Sequence, residues 1–163
     1  MEKGAATDIP KLVGELRPEL PNALVLRVGR SGYYVPEVMR SYLQALMAVG
    51  PASYVIFVDD DTGAFVGSAT ASQVFAALSE GSAVDRFMQE LESGGPDAFK
   101  AFDFIVRQSL EPSDTNTDAL EKFLATNAEA LVLVSDDEKR LLGVVQRSHL
   151  ITKLMLRLAE GSS

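Results

Sequence analysis

Apolar positions along this chain follow two rhythms, and each rhythm occurs twice. Continuous runs stand at Tyr54–Val58 and Ala130–Val134. Each is followed by an acidic turn, Asp59–Gly63 or Ser135–Lys139, and by a second short run ending on Gly67 or Gly143. Runs of this length, rich in Val, Ile, Leu and Phe and bounded by Asp and Gly, predict buried strands. A link this short allows only an antiparallel hairpin, because a parallel pair needs a crossover of a dozen or more residues. The second rhythm has apolar residues at three- and four-residue intervals. It appears at Leu150, Ile151, Leu154, Met155 and Leu158, and again at Val74, Phe75 and Leu78. Each set predicts one buried helical face. Val38, Met39, Tyr42, Leu43, Leu46 and Met47 predict another buried face on a helix opened by Pro36, with the methionines as core filler.

These elements form a repeat. Gly67 and Gly143 lie 76 positions apart. At that spacing Val58 meets Val134, Asp60 meets Asp136, Asp61 meets Asp137, Ser72 meets Ser148 and Leu78 meets Leu154, without a gap from Ser53 to Leu78. Upstream, Leu43, Leu46 and Met47 meet Leu120, Phe123 and Leu124 at a spacing of 77, so the first copy carries one extra residue near Pro51. Both upstream helices then close at aligned residues, Gly50 and Asn127, the types that best tolerate a left-handed helix end. Internal repetition governs the fold. Each unit reads strand or linker, helix, strand, strand, helix.

The remaining segments fit around this frame. Ile9, Leu12, Val13 and Leu16 predict an amphipathic N-terminal helix ended by Pro18, an addition to the repeat unit that packs across the domain or at a dimer contact. Ala23–Val28 reads as a strand. The loop Gly29-Arg-Ser-Gly32 with Tyr33 and Tyr34 reads as a plain turn with core-packed tyrosines; the alternative is an anion-facing loop. Ser82–Leu91 predicts a connecting helix stopped by Ser93-Gly-Gly-Pro96. Asp97–Val106 fits helix, strand or both. Thr117 or Asp118 is expected to cap the second repeat helix. The expected organisation is an N-terminal helical extension over 1–20, a first repeat over 21–81, a connecting helix over 82–97 and a second repeat over 98–160.

Composition narrows the classes. The chain has 163 residues, enough for one domain or two small units, and its formal net charge of −8 disfavours general nucleic-acid or membrane-surface binding. No apolar run approaches the ~18 residues of a membrane span, and no leader pattern is present, so the expected location is the cytoplasm. With no cysteine, disulfides and thiolate metal sites are excluded. No Gly-x-Ser-x-Gly elbow, His–carboxylate motif or Rossmann fingerprint occurs, and the expectation is a non-enzyme. The acidic runs Asp59–Asp61 and Asp136–Glu138 sit in turns, where Asp belongs for backbone reasons, and lack the calcium-loop spacing.

Two copies of apolar run, Asp-Asp turn, apolar run, glycine and helix resemble a tandem pair of CBS domains, the Bateman module. The resemblance is strongest over Ser109–Leu154, where Ser-Leu-Glu-Pro-Ser-Asp, the helix Asp118–Thr126, Ala130–Val134, Asp136-Asp137 and Gly143-Val-Val-Gln-Arg-Ser148 fall in the family's order. The first copy matches from Val38 to Leu78. The resemblance implies an α/β fold of two β-α-β-β-α repeats packed about a pseudo-twofold axis, commonly paired into a homodimer. It implies a regulatory module, with adenine nucleotides or related adenosyl ligands such as AMP, ADP, ATP or S-adenosylmethionine bound between repeats. The alternative is a ligand-free module for dimerisation or for docking a larger protein partner.

The family's nucleotide-binding copies often read Gly-x-x-Thr-x-x-Asp after the hairpin, with Thr toward phosphate or ribose and Asp on the ribose hydroxyls. The first copy reads Gly67-Ser-Ala-Thr70-Ala-Ser-Gln73, and the second reads Gly143-Val-Val-Gln146-Arg-Ser-His149. Gln offers one acceptor oxygen and neutral His one nitrogen, where Asp offers two charged oxygens. Thr70 and Gln73 are therefore candidate ligand contacts or helix-start caps; Gln146 and His149 are the matching pair. Arg147 beside them could clamp an anion in bidentate fashion. Arg30 and Arg107 align at the spacing of 77 and complete the candidate set; surface ion pairs explain the three arginines equally well.

Overall fold

The computed structural model describes residues 22–49, 53–94 and 97–161. The N-terminal helix expected over Ile9–Leu16 and the helix end at Gly50 lie outside them. The chain divides into two compact units, one within Leu20–Arg107 and one within Gln108–Ser163.

In the first unit the chain runs through β1 (Asn22–Val28), α1 (Pro36–Val49), β2 (Ser53–Asp59), β3 (Phe65–Thr70), α2 (Ala71–Ser79) and α3 (Gly81–Ser93). The sheet order is β1-β2-β3, with β1 parallel and β3 antiparallel to β2. The helix α1 supplies the crossover that a parallel pair requires. Leu26, Val28, Val55 and Phe57 of the sheet share one core with Met39 and Leu43 of α1, and with Val74 and Leu78 of α2. The connecting helix joins the same core through Phe87 and Leu91, as do Ala98, Phe99 and Ile105. The units consequently divide after Arg107, rather than at the start of the second repeat expected near 98.

The segment from Asp97 to Val106 is neither helix nor strand. It is a run of turns that inserts aromatics. Phe99 adopts φ 65° and is fully buried, with ring centroids 4.6 Å from Phe57 and 5.0 Å from Phe87. Aromatic packing offsets the cost of a left-handed backbone at a bulky residue. The segment ends on β3: Ser68 and Val106 exchange two backbone hydrogen bonds of 2.8 and 2.7 Å. Gly67 permits that approach, since a Cβ there would lie 2.6 Å from Ile105 Cγ2.

The second unit contains β4 (Ser109–Leu110), α4 (Asn116–Thr126), β5 (Ala130–Val134), β6 (Leu141–Gln146) and α5 (Arg147–Gly161). Its sheet order is β4-β5-β6, with the same senses as the first. The hairpins match residue for residue: Phe57 faces Gly67 and Leu133 faces Gly143, and the register slips at the next residue in both. The cap of α4 differs from expectation. Thr115, not Thr117 or Asp118, is the N-cap: its hydroxyl accepts from Asp118 N–H at 3.0 Å, and Asp118 accepts from Thr115 N–H at 3.1 Å. That reciprocal pair is a capping box. The Thr115 backbone N–H first, and the Thr115 side chain second, hold the exposed Asp118 carboxyl below its ordinary range by hydrogen bonding to it. Asn127 closes the helix in the left-handed conformation, as its residue type suggests.

A polar network anchors the short β4. Lys122 Nζ donates to Asp114 at 2.9 Å and to the Ser109 carbonyl at 2.8 Å, while Asp114 also accepts from Glu111 N–H at 2.9 Å. With Asp114 buried, loss of Lys122 would leave a desolvated carboxylate without its countercharge.

Two predicted faces are only partly buried. On α1, Met39 and Leu43 are buried, but Val38 and Tyr42 are 51% and 64% exposed. On α5, Leu150 is buried, whereas Ile151, Met155, Leu156 and Leu158 are exposed. Period alone shows that a face is apolar; whether anything covers it is a tertiary matter.

Candidate functional site

Six of the seven candidate residues fall at three places. At the start of α2, Thr70 and Gln73 form a second capping box: Thr70 Oγ1 accepts from Gln73 N–H at 3.2 Å, and Gln73 Oε1 accepts from Thr70 N–H at 3.1 Å. The Thr70 hydroxyl also lies 3.2 Å from Ser72 Oγ. Gln73 is exposed, and its amide NH₂ points no bond back into the cap, which leaves donors for a ligand acceptor.

At the start of α5, the half-buried Gln146 ends β6 and pairs with Ala130. Arg147 follows as the first helical residue. Its backbone N–H donates to the Glu129 carbonyl at 2.8 Å, and its Nη2 donates to Glu129 Oε1 at 2.6 Å. Two bonds to one residue orient this guanidinium at a helix N-terminus, where the macrodipole favours anions. Glu129 is mostly exposed, so an incoming anion could displace it at small cost. His149, two residues further on, is exposed.

The third place is the loop after β1. Arg30 Nε donates to Asp60 Oδ1 at 2.9 Å, and the guanidinium lies over the Tyr33 ring, 4.7 Å from its centroid. Asp60 also draws in Arg27, whose Nη1 stands 3.9 Å from the same oxygen. Both arginines border a groove with a cavity volume of ≈540 Å³ between β1 and the N-terminal half of α1. Arg107 lies elsewhere, its Nη1 donating to the Ala98 carbonyl at 2.5 Å.

The strand registers show which candidates belong together. Val25 stands beside Ile56 and Ser109 beside Val132, so the first strands correspond at a spacing of 84, not 77. Arg30 and Arg107 are therefore not equivalent. The first unit has seven more residues between its first strand and the end of its first helix, which sequence alignment through the helices could not show. Within the first unit, Thr70 pairs with Tyr54 at the start of β2, while Arg30 follows Val28, which stands beside Asp59 at its end. The two lie at opposite ends of the sheet, roughly 17 Å of strand apart. Ala71 and Arg147 do correspond: both open the helix that follows their hairpin.

Of the loop's two tyrosines, Tyr34 packs against the core as expected, and Tyr33 does not. Tyr33 is 61% exposed, and Tyr34 Oη accepts the Arg27 backbone N–H at 2.7 Å. The groove itself was invisible in the periodicity, which assigned Val38 and Tyr42 to the core; the Gly-Arg-Ser-Gly-Tyr-Tyr sequence was its one local signal. The acidic turns are as expected: Asp59 Oδ2 accepts from Asp61 N–H, Thr62 N–H and the Thr62 hydroxyl. Among the described residues no group of three or more His, Asp or Glu is placed to hold a metal ion.

Residues 104–156 match the family model of the CBS domain. No curated protein matches the chain. Among solved structures, the chain is similar to the CBS-pair protein CBSX2 from Arabidopsis thaliana, at 16% identity and TM-score 0.52 over 88% of this chain and 94% of that one; CBSX2 has also been solved in complex with AMP. It is similar to a CBS domain pair/ACT domain protein from Thermotoga maritima, at 18% identity and TM-score 0.53 over 90% and 98% of the two chains. A CBS-domain pair with bound AMP from Klebsiella pneumoniae gives 10% identity and TM-score 0.50 over 88% and 97%.

Proposed function

The chain has the fold of a tandem CBS-domain pair, and on that premise we propose that it is a regulatory, non-enzymatic module that senses an adenosine-containing or other small anionic ligand. The observation that carries the reading is the fold shared over 88% of the chain with proteins solved with AMP. Arg147 adds chemistry to it, as an oriented guanidinium at the N-terminus of a 15-residue helix with a displaceable exposed partner. Thr70 and Gln73 offer a hydroxyl and an amide at the equivalent helix start of the first unit. Gln146 and His149 flank Arg147. The capping box costs nothing here: a ligand can add to Thr70 and Gln73 without breaking it. Arg30 lies at the far end of its sheet and is left out of this set, as is Arg107. The mechanism is a population shift, in which the ligand favours whichever conformation it binds better.

A thermal-shift panel of AMP, ADP, ATP and S-adenosylmethionine tests the reading. A ligand at ~100 times its dissociation constant adds about 2.7 kcal/mol. For a chain of this size that raises the midpoint by about 5–10 °C. Arg147→Ala or Thr70→Ala is expected to abolish the shift. A flat panel would overturn the sensing reading.

A second reading, dimerisation and docking, is favoured by one observation: the exposed stripe of Ile151, Met155 and Leu158 on α5. Contiguous exposed apolar side chains mark interaction surfaces. On this reading the module is a homodimer through α5, in the cytoplasm, and Met155→Glu with Leu158→Glu converts it to monomer in light scattering. No described helix is long and apolar enough to cross a membrane.

A further inference from the structure

The groove between β1 and α1 plays no part in the sensing site. Five of the twelve large hydrophobic side chains exposed among the described residues line it: Val25, Tyr33, Val35, Val38 and Tyr42. Such a concentration on one concave surface is unusual for a solvated face. One wall is a strand and the other a helix. That strand, β1, is the edge of its sheet.

The edge has open main-chain groups. Main-chain polar groups alternate in direction along a strand of a parallel pair. Val28 turns its carbonyl inward, where Asp60 N–H donates to it at 3.0 Å. Arg27 and Gly29 turn their N–H groups away from β2, to Tyr34 Oη at 2.7 Å and to the Leu91 carbonyl at 2.8 Å. By the same alternation Val25 presents its N–H and C=O away from β2, on the groove side, and no hydrogen bond closes them among the described residues. Tyr34 and α3 therefore seal the C-terminal half of the edge and leave the N-terminal half open.

We propose that this groove receives an extended peptide that adds to the edge of β1 at Val25, seats alternate apolar side chains against Val38 and Tyr42, and places an acidic group against Arg27 and Arg30. An extended chain fits because it alone satisfies a strand edge and an apolar helix wall together. An acidic group fits because Arg27 and Arg30 are the charged side chains of the lining. They share a single carboxylate, Asp60, and Arg30 engages it through Nε, leaving its Nη groups for a bidentate contact. The seal at Tyr34 fixes the register. A peptide paired with Val25 must end or turn beside the two arginines, so its acidic group lies at that terminus.

The test uses the full chain and an array of synthetic heptapeptides. Each carries Val, Ile, Leu, Phe or Tyr at alternate positions, Ser or Thr between them, and either glutamate or lysine at one terminus, with binding read by fluorescence anisotropy. Glutamate-terminated members are expected to bind at least about ten-fold more tightly than their lysine counterparts, an advantage that raised salt reduces. Val38→Asp is expected to abolish binding, and Arg30→Ala to weaken it about ten-fold while removing the glutamate preference. Both positions are at least partly exposed, and an unchanged far-UV spectrum and unfolding midpoint would show that the variants fold. N-methylation of the peptide amide that faces Val25 is expected to eliminate the complex. Absence of binding by every glutamate-terminated member, or binding unchanged by Val38→Asp, would overturn the proposal. So would AMP, in place of any peptide, shifting the amide resonances of Val25 and Tyr33. Loss of the nucleotide response in Arg147→Ala leaves peptide binding intact, so the two readings fail separately.

Discussion

Asn116 is a polar residue in an apolar position, and replacing it should stabilise the second unit. It is the first residue of α4, 3% exposed, on the face shared with Ala119 and Phe123. Neither its Oδ1 nor its Nδ2 has a hydrogen-bond partner among the described residues. A buried amide left unpaired costs about 1–3 kcal/mol relative to its hydrated state. At the spacing of 77 that aligns the two helices, the first unit carries Met39, buried at 4% exposure. Asn116→Met therefore copies an apolar side chain that the sister fold accommodates, and Met is the residue most able to adapt to an irregular gap. Removal of the unpaired amide and added apolar burial oppose an overpacking cost of about 1–3 kcal/mol. The expected net gain is about 1–2 kcal/mol, which for a chain of this length raises the unfolding midpoint by roughly 3–8 °C. Urea unfolding followed by circular dichroism measures it, with Asn116→Leu and Asn116→Ala beside it. The alanine variant should fall below both, because it removes the amide but leaves a cavity. Destabilisation by more than about 1 kcal/mol in both the Met and Leu variants would refute the reasoning, and would mean that the amide meets a water or other partner.

Two more perturbations test other parts of the fold. Gly67→Val should destabilise the first unit by about 1–3 kcal/mol or more, because its Cβ would stand 2.6 Å from Ile105 Cγ2 and 3.3 Å from the Val106 carbonyl; hydrogen exchange at Ser68 and Val106 should accelerate if the clash breaks their paired bonds. Asp118 has a carboxyl lowered by its hydrogen bonds to Thr115, so its contribution to α4 is present above the unfolded value near 3.8 and is lost as pH falls through the folded one; the midpoint difference between the natural chain and Asp118→Ala should be steady near neutrality and close in acid below about pH 4.

The hairpins, the helices that follow them and the repeat itself were legible in the sequence, because each is encoded by neighbours a few residues apart. A period of 3.6, a continuous apolar run, and an Asp- or Gly-rich turn are local statements. The match of Phe57–Gly67 to Leu133–Gly143, slip included, shows how closely two local patterns at one spacing specify two equal structures. The Thr70–Gln73 box was foreseen as one of two readings for the same reason. Thr115 was missed in favour of Thr117 or Asp118, although Thr-x-x-Asp was in view, because several capping residues crowd that loop.

Tertiary structure alone decided the rest. The first strands pair across tens of residues, so their register, and with it the non-equivalence of Arg30 and Arg107, depends on long-range hydrogen bonds that no local period reports. An amphipathic face states a need for cover without saying whether cover exists. The apolar residues of α3 found a core to join, while Val38 and Tyr42 of α1 and the stripe on α5 did not. The apolar pattern of Asp97–Val106 fitted helix and strand alike and gave neither, because its conformation is set by aromatic contacts to Phe57 and Phe87 and by the space that Gly67 leaves for Ile105. Local chemistry therefore set the elements of this protein, and packing between distant segments set which of its surfaces remain open for binding.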